Sequence, residues 1–215
     1  MAVDIERQEA SIVIVGSLNP MIFNPDWFIR HELLPQVVMG GAEVEIIHRD
    51  ITKFTMGWLN IEVLPNRFLA RTNDASYFLP LRDLVVSVFL ILNETPASQL
   101  GMNRTFEFSL PDEKSWHKLG DVLAPKEIWH KVLPERVGLS SLKVKSPRND
   151  DLPGDINVTV GPSPIKGIKN GVRFNINNHI ELEKDLSIQS VLGKWEFSME
   201  EAEKISQTII EEALA

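Results

Sequence analysis

The 215-residue chain has no cysteine and a single tyrosine. Without cysteine there is no disulfide framework, no thiolate zinc site and no thiol nucleophile. Long apolar runs are also missing. The longest, Leu84–Leu92, is nine residues with Ser87 inside it, whereas a bilayer span needs roughly 20. It reads as a buried helix or strand, and no membrane association is expected. The start, Met1 to Ala10, is net acidic and has no basic region ahead of an apolar one, so it does not read as a secretory signal. A cytoplasmic location is expected, where the Asn-x-Ser/Thr triplets at Asn93, Asn103 and Asn157 are chance matches.

Catalytic signatures are equally scarce. The chain has no G-x-x-x-x-G-K-S/T loop, no G-x-G-x-x-G turn and no G-x-S-x-G elbow. Its five histidines, His31, His48, His117, His130 and His179, include no pair four residues apart and no His-Glu-x-x-His. No catalytic residue, metal site or cofactor is expected. Gly40-Gly41, the double glycine, suits a flexible turn. Lys166–Gly171 combines glycine with positive charge and has the means to cradle an anion, but Asn170-Gly171 favours a hairpin. Asp150-Asp151 lies in the polar loop Pro147–Asp155, where carboxylates usually solvate a turn.

What is present supports a sizeable core: 43% of residues are hydrophobic, with ten Phe and five Trp. Ser11–Leu18 reads as a strand ended by Asn19-Pro20, and Asn24 caps a helix over Asp26–Leu34 with Pro25 in its first turn. Val44–Ile46, Leu59–Val63 and Arg67–Thr72 alternate as strands, and a helix spans Tyr77–Leu92. The second half follows the same order: a strand over Arg104–Leu110, helical segments Glu113–Leu119 and Lys126–Leu133, then strands Leu142–Lys145, Ile156–Val160 and Val172–Ile176. Ser198, three residues before Glu201, marks a capping box for a last helix reaching Leu214.

Sequence matches run in parallel with this order. HELLPQV (His31–Val37) resembles HKVLPERV (His130–Val137), and NIEVLP (Asn60–Pro65) resembles NVTVGP (Asn157–Pro162). Arg67-Phe68 matches Arg173-Phe174, and IVIVGSL (Ile12–Leu18) matches TFEFSL (Thr105–Leu110). The intervals Pro35 to Pro65 and Pro134 to Pro162 are 30 and 28 positions. Matches in constant order predict a duplication. The expected fold is α+β: two tandem β-α-β-β-β-α repeats, residues 1–97 and 98–215, forming one pseudo-two-fold unit. Its sheet is expected to be curved and mainly antiparallel, with helices on one face.

That topology resembles the TATA-binding-protein-like fold, although no motif residue of that family is present, so its DNA binding does not transfer. The stretches Val15–Phe28, Leu81–Ile91, Leu100–Phe108 and Leu123–Leu133 resemble a group of uncharacterised bacterial proteins of about this length, a resemblance that carries no activity with it.

The net charge is −8. Glu196 to Ala215 alone holds −5 of it, so the other 195 residues carry −3. Lys143–Arg173 is locally +3, with Lys143, Lys145, Arg148, Lys166, Lys169 and Arg173 against Asp150, Asp151 and Asp155. The leading expectation is a non-enzymatic binding, scaffold or regulatory protein that engages a protein partner and is compatible with a homo-oligomer. The alternatives are nucleic-acid binding on the concave sheet face, or a small-molecule or enzymatic site between the repeats. Of the tryptophans, those left exposed make good interface anchors. Candidate contacts are Asn19, Asn24, Trp27, Trp58, Asn103, Arg104, Lys143, Lys145 and Arg173, with turn and cap duties the favoured reading for the asparagines.

Overall fold

Alternating apolar and polar residues build most of this chain into one sheet. The computed structural model describes residues 3–35, 41–133, 137–183 and 185–215. Gly40 and Pro134, on which the double-glycine turn and one repeat match rest, lie outside them. The described residues form nine strands: β1 (Asp4–Gly16), β2 (Ala42–His48), β3 (Ile51–Met56), β4 (Leu59–Leu64), β5 (Arg67–Thr72), β6 (Ala97–Ser109), β7 (Leu142–Pro147), β8 (Gly154–Pro162) and β9 (Gly171–Glu181). Their order is β2-β3-β4-β5-β1-β6-β9-β8-β7, antiparallel throughout. The helices are α1 (Pro25–Arg30), α2 (Phe78–Ile91), α3 (Glu113–Leu123), α4 (Ile188–Leu192) and α5 (Trp195–Leu214). None is long and apolar enough to cross a membrane. The fold class is α+β, as the patterning predicts.

Register explains the layering. Val63, Phe68, Ile14, Leu100 and Ile180 face one another across five strands and are all buried. Phe106 and Phe174 continue this apolar face. On it α2 packs over β5 and β1, while α5 packs over β6 and β9. One apolar cluster holds Phe23, Phe28, Phe54, Phe68 and Phe89; a second holds Phe106, Phe108 and Phe174. Side chains alternate across a strand, so the intervening residues form a second face, helix-free among the described residues.

Several elements differ from the sequence reading, each for a physical reason. The first half has four strands after α1, not three. The extra strand, β3, places Thr52 at a core-facing position, where its hydroxyl donates to the Pro20 carbonyl at 2.8 Å. A polar residue in the apolar register hides the strand. β1 begins at Asp4 and β6 at Ala97, because each polar extension pairs with the apolar part of the other strand: Asp4 to Ala10 with Ser109 to Arg104, and Ala97 to Asn103 with Gly16 to Ser11. Asn24 caps α1 as expected, accepting from the Trp27 amide at 3.0 Å. The helix stops at Arg30, however, and Glu32 takes φ 55° before Pro35. Only a short 3₁₀ turn, Trp129–Lys131, forms within the helix expected over Lys126–Leu133. Asn170 adopts φ 50° in the predicted β8–β9 hairpin. Gly171 has no room for a Cβ, which would stand 2.7 Å from Ser163 Cβ.

The capping box at Ser198 does not form. α5 starts at Trp195, whose buried ring anchors the first turn, and Ser198 lies inside the helix with its buried hydroxyl unpartnered. One turn on, Glu201 Oε2 is also buried without a partner. Burial pushes the Glu201 carboxyl above its ordinary range, opposed by nearby Arg148 and reinforced by Asp150. A carboxyl raised in the folded state costs stability as pH rises past the unfolded value, because the unfolded chain releases its proton first. Glu201→Gln is therefore expected to stabilise the protein at pH 7 by about 1 kcal/mol, raising Tm by about 2–4 °C. The gain should vanish below about pH 4, as thermal melts across pH will read.

Candidate functional site

The helix-free face carries a polar row across the sheet: Thr55, Asn60, Arg71, Ser11, Asn103, Asn177, Asn157 and Lys145 occupy successive cross-strand positions. The row is internally bonded. Thr55 donates to Asn60 Oδ1 at 3.0 Å, Asn103 donates to Ser11 Oγ at 3.3 Å, and Asn177 donates to Asn103 Oδ1. Of the candidate contacts, Asn103, Lys143, Lys145 and Arg173 all project from this face. Its cations are largely matched: Lys145 meets Asp155 at 2.7 Å, Lys53 meets Glu45 at 2.6 Å, Arg71 meets Glu9 at 3.7 Å, and Arg67 and Arg173 pair with Glu62 and Glu107. Arg148, part of the basic segment, is turned away and neutralised by Asp150 at 2.6 Å.

A cavity of about 390 Å³ opens on this face where β1 and β6 meet. Its walls bring together Arg7 and Glu9 from β1, Arg71 from β5, Thr105 and Glu107 from β6, and Arg173 from β9. Ile165, from the β8–β9 loop, forms a side of it. A bulge in β1 between Ile5 and Arg7 sets Arg7 opposite Glu107. Such irregularities re-aim side chains.

Arg104 is not on this face. It lies 3% exposed among the helices, its guanidinium 4.5 Å from the ring centres of both Phe78 and Phe106. Arg104 donates to Gln8 Oε1 at 2.7 Å and stands 3.9 Å from Glu203. Burial lowers its pKa to about 10, partly offset by Glu203, so it stays charged at neutral pH. It ties α2 to the sheet through the cation–π contact with Phe78 and reaches α5 through Glu203. Asn19 and Asn24 act as caps, bonding the Met21 and Trp27 amides. Trp27 packs half-buried against Phe23, Phe28 and His31, and Trp58 stacks on Tyr77 with centroids 4.8 Å apart.

The exposed tryptophan is Trp129, at 49% exposure. Val122, Ile128, Val132 and Leu133 are exposed with it, five apolar side chains within twelve positions. Beside them a cavity of about 740 Å³ has an apolar floor of Leu119, Leu139, Val160 and Val172 and a rim including Lys126 and His130. Trp116 forms part of its wall, held in place by donation from its ring nitrogen to the Gly171 carbonyl at 3.1 Å.

No protein-family model and no curated protein matches the chain. The site must be read from its own chemistry. Among the described residues, no three His, Asp or Glu side chains are grouped to hold a metal ion.

Sequence reasoning counted Trp129 among the tryptophans that serve as anchors if exposed, without singling it out, and passed over Arg7 and Glu107. The signal for Trp129 lies in Ile128-Trp129 and Val132-Leu133, an apolar stretch that includes too little helix to bury it. Arg7 and Glu107 stand more than ninety positions apart, and only the β1–β6 register joins them.

Proposed function

We propose that this chain is a non-enzymatic binding protein that engages a protein partner through the apolar segment Val122–Leu133. The supporting observation is the exposure of Trp129 among four other exposed apolar side chains, next to the 740 Å³ cavity. Soluble proteins rarely leave large apolar groups clustered in water without use, and tryptophan is enriched among residues that dominate binding energy. The partner supplies an apolar side chain that seats against Leu119, Val160 and Val172. A bacterial setting agrees with the resemblance to uncharacterised bacterial proteins.

The architecture we infer for this binder is a duplicated, TATA-binding-protein-like unit. Cross-strand register supports it: Phe68 pairs with Ile14 and Val63, while its match Phe174 pairs with Phe106 and Val160. The alignment of Leu18 with Leu110 also aligns Ser11 with Asn103, and these two face each other across the central strand pair. A pseudo-two-fold axis through that pair is what a tandem duplication produces. The edge strand β2 then has no counterpart among the described residues of the second unit, where β7 matches β3.

The test is quantitative capture of the partner by tagged protein and by Trp129→Ser/Leu133→Ser. The double variant is expected to bind at least 30-fold more weakly, the effect of losing one 2 kcal/mol anchor. Its Tm is expected to stay within about 2 °C, because exposed residues contribute little to stability. Equal capture by both proteins would overturn the assignment. Light scattering shows whether the partner is a second copy. For nucleic acid, the matched charges of the helix-free face predict no salt-dependent mobility shift with DNA or RNA.

A further inference from the structure

We propose that the cavity at the β1–β6 seam is a binding site for a small phosphomonoester, a ligand separate from the protein partner. Arg7, Arg71 and Arg173 line it from three different strands, on one face of the sheet. A planar carboxylate satisfies one guanidinium fork, whereas a tetrahedral phosphate offers oxygens to all three. Glu9 and Glu107 offset two of the arginines, and Arg7 makes no ion pair with any described residue. The cavity therefore carries one cation in excess.

Glu107 supplies the second half of the recognition. Its residue is 2% exposed, one carboxylate oxygen is engaged by Arg173, and Oε2 is buried without a donor. An unpartnered buried oxygen of this kind costs stability until a donor reaches it. A ligand hydroxyl or N–H entering beside Arg173 meets that need, which selects an organic phosphate over the bare ion. Thr105 and Asn175, hydrogen-bonded to each other at 2.9 Å, give the floor further polar groups. The volume of about 390 Å³ lies at the small end of ligand pockets and suits a sugar phosphate or mononucleotide. Ile165 on the β8–β9 loop provides an apolar side for the rest of the molecule.

The test is calorimetric titration of the full chain with inorganic phosphate, glucose 6-phosphate and AMP, in chloride at matched ionic strength. Binding of at least one organic monoester, tenfold or more tighter than inorganic phosphate, is expected. Arg7→Met should weaken it at least tenfold while leaving the unliganded Tm within about 2 °C, since Arg7 is exposed and unpaired. Glu107→Gln should erase the preference for the organic monoester over the ion. No binding at millimolar concentration, or binding unchanged in Arg7→Met, overturns the proposal. Succinate binding as tightly as the phosphates also overturns it. A short oligonucleotide that binds more tightly than AMP would reassign the site to a nucleic-acid backbone. Because Trp129→Ser/Leu133→Ser lies outside this cavity, it should bind the monoester normally, so the site and the partner surface stand or fall separately.

Discussion

Asp150→Asn is expected to destabilise the protein by about 3–5 kcal/mol, a Tm loss of roughly 10 °C. The reason is Arg148, whose side chain is 2% exposed and bound by both carboxylate oxygens of Asp150, at 2.8 and 2.6 Å. Its remaining nitrogen donates to Asn178 Oδ1 at 2.9 Å. Removing the carboxylate charge strands a buried guanidinium. The Arg148 guanidinium holds the Asp150 carboxyl below its usual range, so this stabilisation is present above the unfolded value and is lost as pH falls through the lowered one. Urea denaturation at pH 7 and below pH 3 checks both the size and the sign. Glu201 makes the test sharper. With Asp150 present, Glu201 is a surplus carboxylate and Glu201→Gln stabilises. In the Asp150→Asn background Glu201 becomes the remaining counter-charge near Arg148, and Glu201→Gln is expected to destabilise. A double-mutant cycle reads that reversal directly.

Phe68→Ala and Phe174→Ala are each expected to cost about 3–5 kcal/mol. Both rings are fully buried. Phe68 lies 5.4 Å from Phe23 and 5.3 Å from Phe89, and Phe174 meets Phe108 edge-on at 5.7 Å. Truncation removes these contacts and leaves a void that a sheet-bound backbone cannot close. Each variant should still melt in one transition, because the long β1–β6 ladder joins the two apolar clusters into one sheet. An early transition confined to one half would show instead that residues 1–97 and 98–215 fold as separate units. Chemical denaturation followed by circular dichroism and by tryptophan fluorescence distinguishes these outcomes.

The strands at Leu59–Leu64 and Arg67–Thr72 are legible because every second residue is apolar and turn residues bound them. Helix α2 is legible from its continuous apolar run, and α1 from Asn24-Pro25. β3 and the outer parts of β1 and β6 are not. Thr52 breaks the apolar alternation of β3, and Asp4 to Gln8 are held in β1 by their partners on β6 rather than by their own preference. Ser198 shows the opposite failure, a cap signal outweighed by burial of Trp195 ahead of it.

The candidate site divides in the same way. Asn103, Lys143, Lys145 and Arg173 fall on one face because residues two apart along a strand always do, a relation the sequence carries within each strand. Arg104, one position from Asn103, goes to the other face by the same period. Its apolar company on that face comes from Phe78, twenty-six positions earlier, and from helix packing. The scarcity of apolar runs, the missing cysteines and the strand alternation are properties of the chain itself, and they suffice for an α+β fold with one polar face. The meeting of Arg7, Arg71 and Arg173, and the pairing of Asp150 with a buried Arg148, depend on strand order and register. Those are decided by long-range burial and cross-strand hydrogen bonding, which no local stretch of residues encodes.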